Sequence, residues 1–179
     1  MDGVRSWFDY MSSRTDLIVD GLTQTLMYVV VVTLAAAITA VVVGVLTMRH
    51  TFAKELALAI SSVFLTIPSL ALFTIFSPIV GLGFTPSFIA LYLYAIMPIL
   101  RNTTTGLDSV DSSVLESAKG MGMTRWQVLT KIQLPLAWPV MLAGIRVSAL
   151  LTVGISAIAT LVAGGGLGDF IKSGLARLP

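Results

Sequence analysis

Long apolar runs with few charges alternate with more polar, charged segments along this 179-residue chain. Four of the runs can be read as membrane-spanning helices, because each approaches or exceeds the roughly 20 apolar residues that an α-helix needs to cross a bilayer. They cover residues 24–48, 56–80, 88–107 and 135–163. The pattern therefore predicts an all-α, polytopic transmembrane helix bundle with four clear spans.

The overall composition agrees with a membrane protein. Hydrophobic residues make up 56% of the chain and charged residues 11%, more apolar surface than a soluble core of this size needs. The net charge of +2 comes mostly from the loops, so nucleic-acid binding is not indicated. The absence of cysteine excludes disulfides and thiol chemistry. Residues 1–20 are polar and predict an N-terminal tail, which the loop charges described next make extracytoplasmic, followed by a single transmembrane domain over residues 21–179.

The charges of the loops predict an orientation. Segments 49–55 and 101–133 contain six Lys and Arg residues, whereas the connection at 81–87 contains none. By the positive-inside rule, the first two segments face the cytoplasm and the third faces out. The N-terminus and the segment after Ala163 are then outside.

The longest polar interruption, residues 111–139, begins with a predicted short helix. Ser113 and Glu116 have the spacing of a capping box, so the helix is expected to start near Ser113. Gly120 and Gly122 then weaken it, since glycine costs about 1 kcal/mol in a helix interior, and they predict a glycine elbow after this helix.

A second helix is predicted directly after these glycines. Thr124 and Gln127 form another capping box, and Pro135 and Pro139 then open the last apolar run. From the residues alone, the whole segment could equally be an amphipathic helix lying on the bilayer surface.

The spacing within this segment resembles the EAA loop of bacterial ABC-importer permeases. That family has a Glu, a small residue, an Ala, a Gly six residues after the Glu, then Ile, Leu-Pro and a later Pro. The corresponding residues are Glu116, Ser117, Ala118, Gly122, Ile132, Leu134, Pro135 and Pro139. Ser117 stands where the family usually has Ala, which is a small-for-small change. The other seven match at fixed spacing over 24 residues, which is a specific signal.

The sequences of residues 118–146 and of the glycine-rich run at 163–168 are most similar to those of the osmoprotectant branch, which imports glycine betaine, carnitine or choline. The resemblance implies a permease subunit in the bacterial cytoplasmic membrane, with residues 108–134 docking into a separate ATPase. Gly120 and Trp126 join the matched residues as coupling candidates. Because the family has another span after the glycine-rich run, a further C-terminal helix is expected.

The resemblance also implies the partners. They are two ATPase subunits, a second copy of this chain or a sibling permease, an extracytoplasmic substrate-binding protein and membrane lipid. No cofactor is expected in this chain, because ATP and Mg²⁺ would bind to the ATPase.

The fourth predicted span has small and hydroxyl residues at every fourth position, which we call the small-residue stripe. It comprises Gly144, Ser148, Thr152, Ser156 and Thr160. Such residues permit close helix packing and interhelical hydrogen bonds. They could equally line a wet pathway.

The second span has a comparable polar face at Ser62, Thr66 and Ser69, with Pro68 inside it, and the third span contains Pro98. Proline removes a backbone donor and bends a helix, so these bends are gating candidates. Proline is also common in membrane helices without such a role.

Arg146 is the one clear intramembrane charge, because Arg101 and Asn102 suggest that the third span leaves the hydrocarbon before Leu107. A charge there costs at least ~2.5 kcal/mol, so it should face protein or water. Its partner could be a backbone carbonyl, a hydroxyl such as that of Thr66, water or another subunit. A carboxylate, as in a betaine, would be attracted to it.

Several chemistries lack their residues in this chain. There is no Gly-Lys pair for a Walker A motif, no HExxH, no GxSxG and no Cys/His cluster, so we predict neither catalytic residues nor a metal site. Three alternatives to an osmoprotectant permease are a permease for another zwitterion such as ergothioneine, a membrane interaction protein and a secondary transporter. The last is disfavoured, because no acidic residue lies in a span for ion coupling.

Overall fold

The computed structural model describes residues 12–176, whose regular secondary structure is helical, without a β-strand. The α-helices are α1 (Thr15–Thr47), α2 (Thr51–Thr66), α3 (Ser69–Val80), α4 (Phe84–Asp108), α5 (Ser112–Gly120), α6 (Arg125–Val128), α7 (Leu134–Ala159) and α8 (Gly168–Leu175). A π-helical segment, Leu129–Gln133, joins α6 to α7, and a 3₁₀ turn, Thr160–Val162, follows α7.

Three stretches of helix are long and apolar enough to cross a membrane. They are α1, α4 and the uninterrupted Arg125–Val162 stretch. Helices α2 and α3 meet the same criterion only together, and they are bent by 94° at their junction. The described chain thus has three candidate spans, or four if the bent pair is one span.

The second predicted span is not the single bent helix that we expected. Helix α2 ends at Thr66, Ile67 is extended with φ −77° and ψ 130°, and α3 begins after Pro68. A proline disfavours helical geometry at the residue before it, which explains why the helix breaks at Ile67. The Tyr94 hydroxyl donates a hydrogen bond to the freed Ile67 carbonyl. Pro98, in contrast, lies inside a continuous α4.

Two helix boundaries also differ from the predicted ones. Helix α1 begins at Thr15, so residues 15–20 of the predicted tail are helical, while residues 1–11 lie outside the described part. Helix α4 begins at Phe84, which leaves a shorter turn before it than predicted. Apolar periodicity marks the membrane-buried portion, and both helices extend beyond it.

Helix α4 occupies the centre of the bundle, between α1 and α7. Its buried residues include Ala90, Leu91, Ala95 and Ile99, and they pack against a buried row of α1. That row consists of Tyr28, Val32, Ala36 and Ala40. The opposite face of α1 is exposed and apolar, as expected of a surface that contacts lipid.

The backbones of α4 and α7 approach closely at the small-residue stripe. A Cβ at Gly144 would lie 2.6 Å from the Asn102 Cβ and 2.8 Å from the Pro98 carbonyl oxygen. The buried Ser148 hydroxyl donates a 2.7 Å hydrogen bond to the Ala95 carbonyl. Together these contacts join the two helices without large side chains between them.

We expect Gly144→Ala to destabilise the folded chain by ~1–3 kcal/mol, because the added methyl group overpacks a contact between backbones. Gly154→Ala is the matched control on the same helix, since a Cβ there meets nothing within 4 Å. It should be neutral or stabilising by up to about 1 kcal/mol. Thermal unfolding of the purified variants in detergent distinguishes them. Equal effects of the two substitutions would contradict the close α4–α7 contact.

Candidate coupling loop and pathway residues

The two segments that were predicted to face the cytoplasm lie at one end of the bundle. A cavity there is lined by Arg49 from the α1–α2 connection and by Lys119 and Arg125 from the α5–α6 region. At the other end, the Gly83 amide donates a 2.8 Å hydrogen bond to the Val162 carbonyl. The structure therefore groups the loops as their charges predicted.

Helix α5 begins at a different residue from the one predicted. Asp111, not Ser113, is the N-cap, and its carboxylate accepts a 2.8 Å hydrogen bond from the Ser113 amide. The hydrogen bonds from the Ser113 backbone and side chain lower the pKa of Asp111. Because this pKa is lower in the folded state, the cap is fully present above the ordinary carboxyl pKa. It is lost only as the pH falls through the lowered value.

A glycine elbow follows α5, as predicted. Gly122 has φ +80°, the left-handed conformation that favours glycine, and its amide donates a 2.9 Å hydrogen bond to the Lys119 carbonyl. The Met123 amide donates a 3.2 Å bond to the Ala118 carbonyl. These bonds close the end of α5 and reverse the chain.

The predicted capping box at the start of α6 is confirmed. The Thr124 amide donates to the Gln127 side chain at 2.8 Å, and the Gln127 amide donates to the Thr124 hydroxyl at 3.3 Å. Helix α6 then continues through the π turn into α7. The wider turn lies just before Pro135, where a regular α turn would press the proline ring against the Lys131 carbonyl.

The loop residues that resemble the EAA pattern differ in exposure. Ala118 is fully buried, Ile132 and Leu134 are half-buried, and Glu116, Ser117, Gly120, Gly122, Trp126 and Pro135 are exposed. Two large apolar side chains project on either side of the elbow: Met121 is 73% exposed and Trp126 is 70% exposed. Tryptophan and methionine are among the side chains that are enriched in protein–protein interfaces.

The pathway candidates of the fourth predicted span lie in a helix contact. Ser148, Thr152 and Ser156 are buried, as is Pro98 on α4. The Thr152 hydroxyl donates to the Ser148 carbonyl and the Ser156 hydroxyl to the Val153 carbonyl, both at 2.8 Å. Of the two possibilities for the stripe, the geometry favours helix packing.

The candidates of the second predicted span lie apart from this contact. Ser62 and Ser69 are half-buried, and Thr66 and Pro68 are exposed, on either side of the α2–α3 break. The Ser62 and Thr66 hydroxyls donate to carbonyls of their own helix, at 2.8 and 2.7 Å. A Thr66–Arg146 hydrogen bond, one of the expected possibilities, is not formed.

Arg146 lies on the exposed side of α7. Among the described residues it makes no hydrogen bond or ion pair. No partner for its guanidinium group is therefore supplied by this part of the chain.

Sequence reasoning missed how the glycine-rich run is held. The Tyr28 hydroxyl donates to the Gly164 carbonyl at 2.8 Å. The amides of Gly166 and Leu167 donate to the side chains of Gln24 and Thr25, at 2.8 and 3.1 Å. We call these bonds the α1 latch. The signal for it in the sequence was the group of hydrogen-bonding residues near the start of α1, Gln24, Thr25 and Tyr28.

Comparison with known proteins assigns the family. The family described as binding-protein-dependent transport system inner membrane component matches residues 33–178. The chain belongs to this family. It is therefore an integral membrane permease, a component of a transporter and not a catalytic enzyme.

Curated relatives are similar over most of this chain. The carnitine transport permease protein OpuCD of Listeria monocytogenes is 38% identical over 97% of this chain and 78% of its own length. The glycine betaine/carnitine/choline transport system permease protein OpuCB of Bacillus subtilis is 41% identical over 77% of this chain and 64% of its own. The choline transport system permease protein OpuBB of Bacillus subtilis is 43% identical over 76% and 63%.

Solved structures share the fold. An inward-facing structure of the MetNI methionine ABC transporter superposes with a TM-score of 0.78, at 24% identity, over 88% of this chain and 80% of that chain. An amino acid ABC transporter solved with histidines gives a TM-score of 0.75 at 20% identity, over 95% and 84%. The helical architecture is thus that of ABC-importer permeases.

The elbow gives a test of the loop geometry. We expect Gly122→Ala to cost about 1–2 kcal/mol, because a Cβ strains the left-handed backbone even where space is free. Gly120→Ala is the matched control, since its site is also open but helical. It should change stability by less than about 0.5 kcal/mol. Hydrogen exchange of the α5 amides should rise for Gly122→Ala alone, and a rise for both variants would contradict the elbow.

Proposed function

We propose that this chain is the permease subunit of an ATP-driven importer of osmoprotectants, the quaternary ammonium compounds glycine betaine, carnitine or choline. The observation that carries the proposal is the exposed Met121 and Trp126 pair on a loop that continues into α7 without a break. The substrates named for the relatives support the choice of solute.

Coupling would follow from the continuity of this helix. The loop, including Glu116, Ser117 and Gly122, would dock into a separate ATPase that holds ATP and Mg²⁺. Because α6, the π turn and α7 form one helical stretch, a displacement of α6 would move the cytoplasmic half of α7. The contact between α7 and α4 would then carry the movement into the bundle.

The remaining partners follow from the same proposal. Two ATPases would dock on two permeases, either two copies of this chain or this chain and a sibling, and an extracytoplasmic binding protein would deliver the solute. By the positive-inside rule, the positively charged α5–α6 end would face the cytoplasm, with the N-terminus outside. The α2–α3 pair then counts as a fourth, broken span.

The docking surface is testable by co-purification with the ATPase. We expect Met121→Ser/Trp126→Ser to reduce the amount of co-purified ATPase at least tenfold. The reason is that a few large central anchors carry much of an interface's affinity. The control is Leu82→Ser/Ile171→Ser, which removes exposed apolar side chains from the other end of the bundle. Retention of the ATPase by the first variant, or its equal loss from both, would contradict docking at the elbow.

Arg146 is the residue that we propose to contact the solute. A guanidinium group without a partner is expensive within the bilayer, so its face of α7 must be covered by protein or water. A two-subunit pathway supplies both. Glycine betaine and carnitine carry a carboxylate that a guanidinium can bind in a bidentate manner, and choline has none.

We therefore expect Arg146→Gln to reduce ATP-dependent uptake of glycine betaine by at least about tenfold, the loss of a charge-assisted hydrogen bond, while choline uptake changes by less than about twofold. Arg146→Lys should retain an intermediate activity for glycine betaine, since it keeps the charge but not the fork. Uptake of both solutes by reconstituted liposomes provides the measurement. An equal loss for both would show that Arg146 is structural, and preferential uptake of ergothioneine would reassign the solute.

A further inference from the structure

The cavity between the coupling loop (residues 108–134) and the end of α1 has no role in docking or transport as proposed above. Its volume is about 450 Å³, and we call it the basic cavity. It is lined by Arg49, Lys119, Arg125 and Gln133, with apolar walls that include Met48 and Val128. It thus adjoins three separate segments of the chain at the predicted cytoplasmic end.

The charges of the basic cavity are one-sided. Three of the lining residues are cations and none is an acid. Lys54, nearby in the sequence, pairs with Asp108 at 2.7 Å, but Arg49, Lys119 and Arg125 have no side-chain partner among the described residues. Three unneutralised cations around one cavity repel one another, and an anion between them would relieve that repulsion.

Gln133 adds an uncharged hydrogen-bonding group to these cations. Its side chain lines the cavity and makes no hydrogen bond within the described chain, so its amide is free to bind a ligand there. An amide that can donate, next to three cations, matches the oxygen atoms of an oxyanion.

We propose that the basic cavity binds a phosphate-bearing anion. Arg49 and Arg125 would bind the phosphate oxygens through their guanidinium groups, Lys119 would add charge, and the Gln133 amide would donate a hydrogen bond. The phosphate can belong to the headgroup of an acidic phospholipid or to a soluble phosphate compound. The apolar walls and the interfacial position suit the first source.

A ligand in the basic cavity would also hold the coupling loop in place. It would contact the α1–α2 connection, α5 and the α6–π segment at once. Helix α5 itself buries only Ala118, so few of its own contacts fix it to the bundle. Binding should therefore slow hydrogen exchange of the α5 amides.

The test uses native mass spectrometry of the purified full chain, without any ATPase, so its result does not depend on the transport proposal. Phosphatidylglycerol and inorganic phosphate are titrated separately, and phosphatidylcholine, which has a phosphate but no net charge, is the reference lipid. Binding of phosphatidylglycerol above phosphatidylcholine supports the lipid source. Binding of inorganic phosphate alone supports the soluble source. Binding of neither overturns the proposal.

Charge-matched variants separate the cavity from general surface charge. Arg49→Gln/Arg125→Gln should weaken binding at least about tenfold, whereas Arg101→Gln/Lys131→Gln, which removes two cations outside the cavity, should change it less than about twofold. Gln133→Leu keeps the charge and the approximate shape and should weaken binding several-fold. An equal loss of binding affinity in the two double variants, or no effect of Gln133→Leu, would overturn the assignment. Circular dichroism checks that each variant is folded.

Discussion

The close approach of α4 to its neighbours is the constraint on which the rest of the structure depends. Backbone atoms of α4 and α7 meet at Gly144, and α1 meets α4 at Gly44, where a Cβ would lie 2.7 Å from the Thr103 methyl group. In a bilayer, lipid tails are as apolar as leucine, so helices associate through close packing and interhelical hydrogen bonds. The bundle meets this condition with small residues and the Ser148–Ala95 bond.

The contact between α4 and α7 also links the coupling loop to the rest of the bundle. The elbow at Gly122 separates α5 from α6, but no loop separates α6 from α7. A force applied near Trp126 therefore acts on a continuous helix whose far half is packed against α4. At the other end, the α1 latch ties the glycine-rich run to α1, so both ends of α7 lead to defined contacts.

Features set by neighbouring residues were predictable, and those set by distant partners were not. The Thr124 capping box and the glycine elbow depend on a few adjacent residues, and both were anticipated. Asp111 and Ser113 are both good caps, so local preference alone could not choose between them. The hydrogen bond by which Tyr94 satisfies the Ile67 carbonyl at the Pro68 break spans 27 residues of the chain, and the α1 latch joins residues more than 130 apart. The exposure of Arg146 required the packing of the whole bundle.

The most direct test of the central claim is solute-stimulated ATP hydrolysis by this chain reconstituted in liposomes with its ATPase and binding protein. We expect glycine betaine to raise the hydrolysis rate and to be taken up at the same time. We also expect Gly122→Arg, which disrupts the elbow, to abolish the stimulation while the complex still assembles. Hydrolysis that does not respond to solute, or a chain that associates with no ATPase, would contradict coupling through this loop.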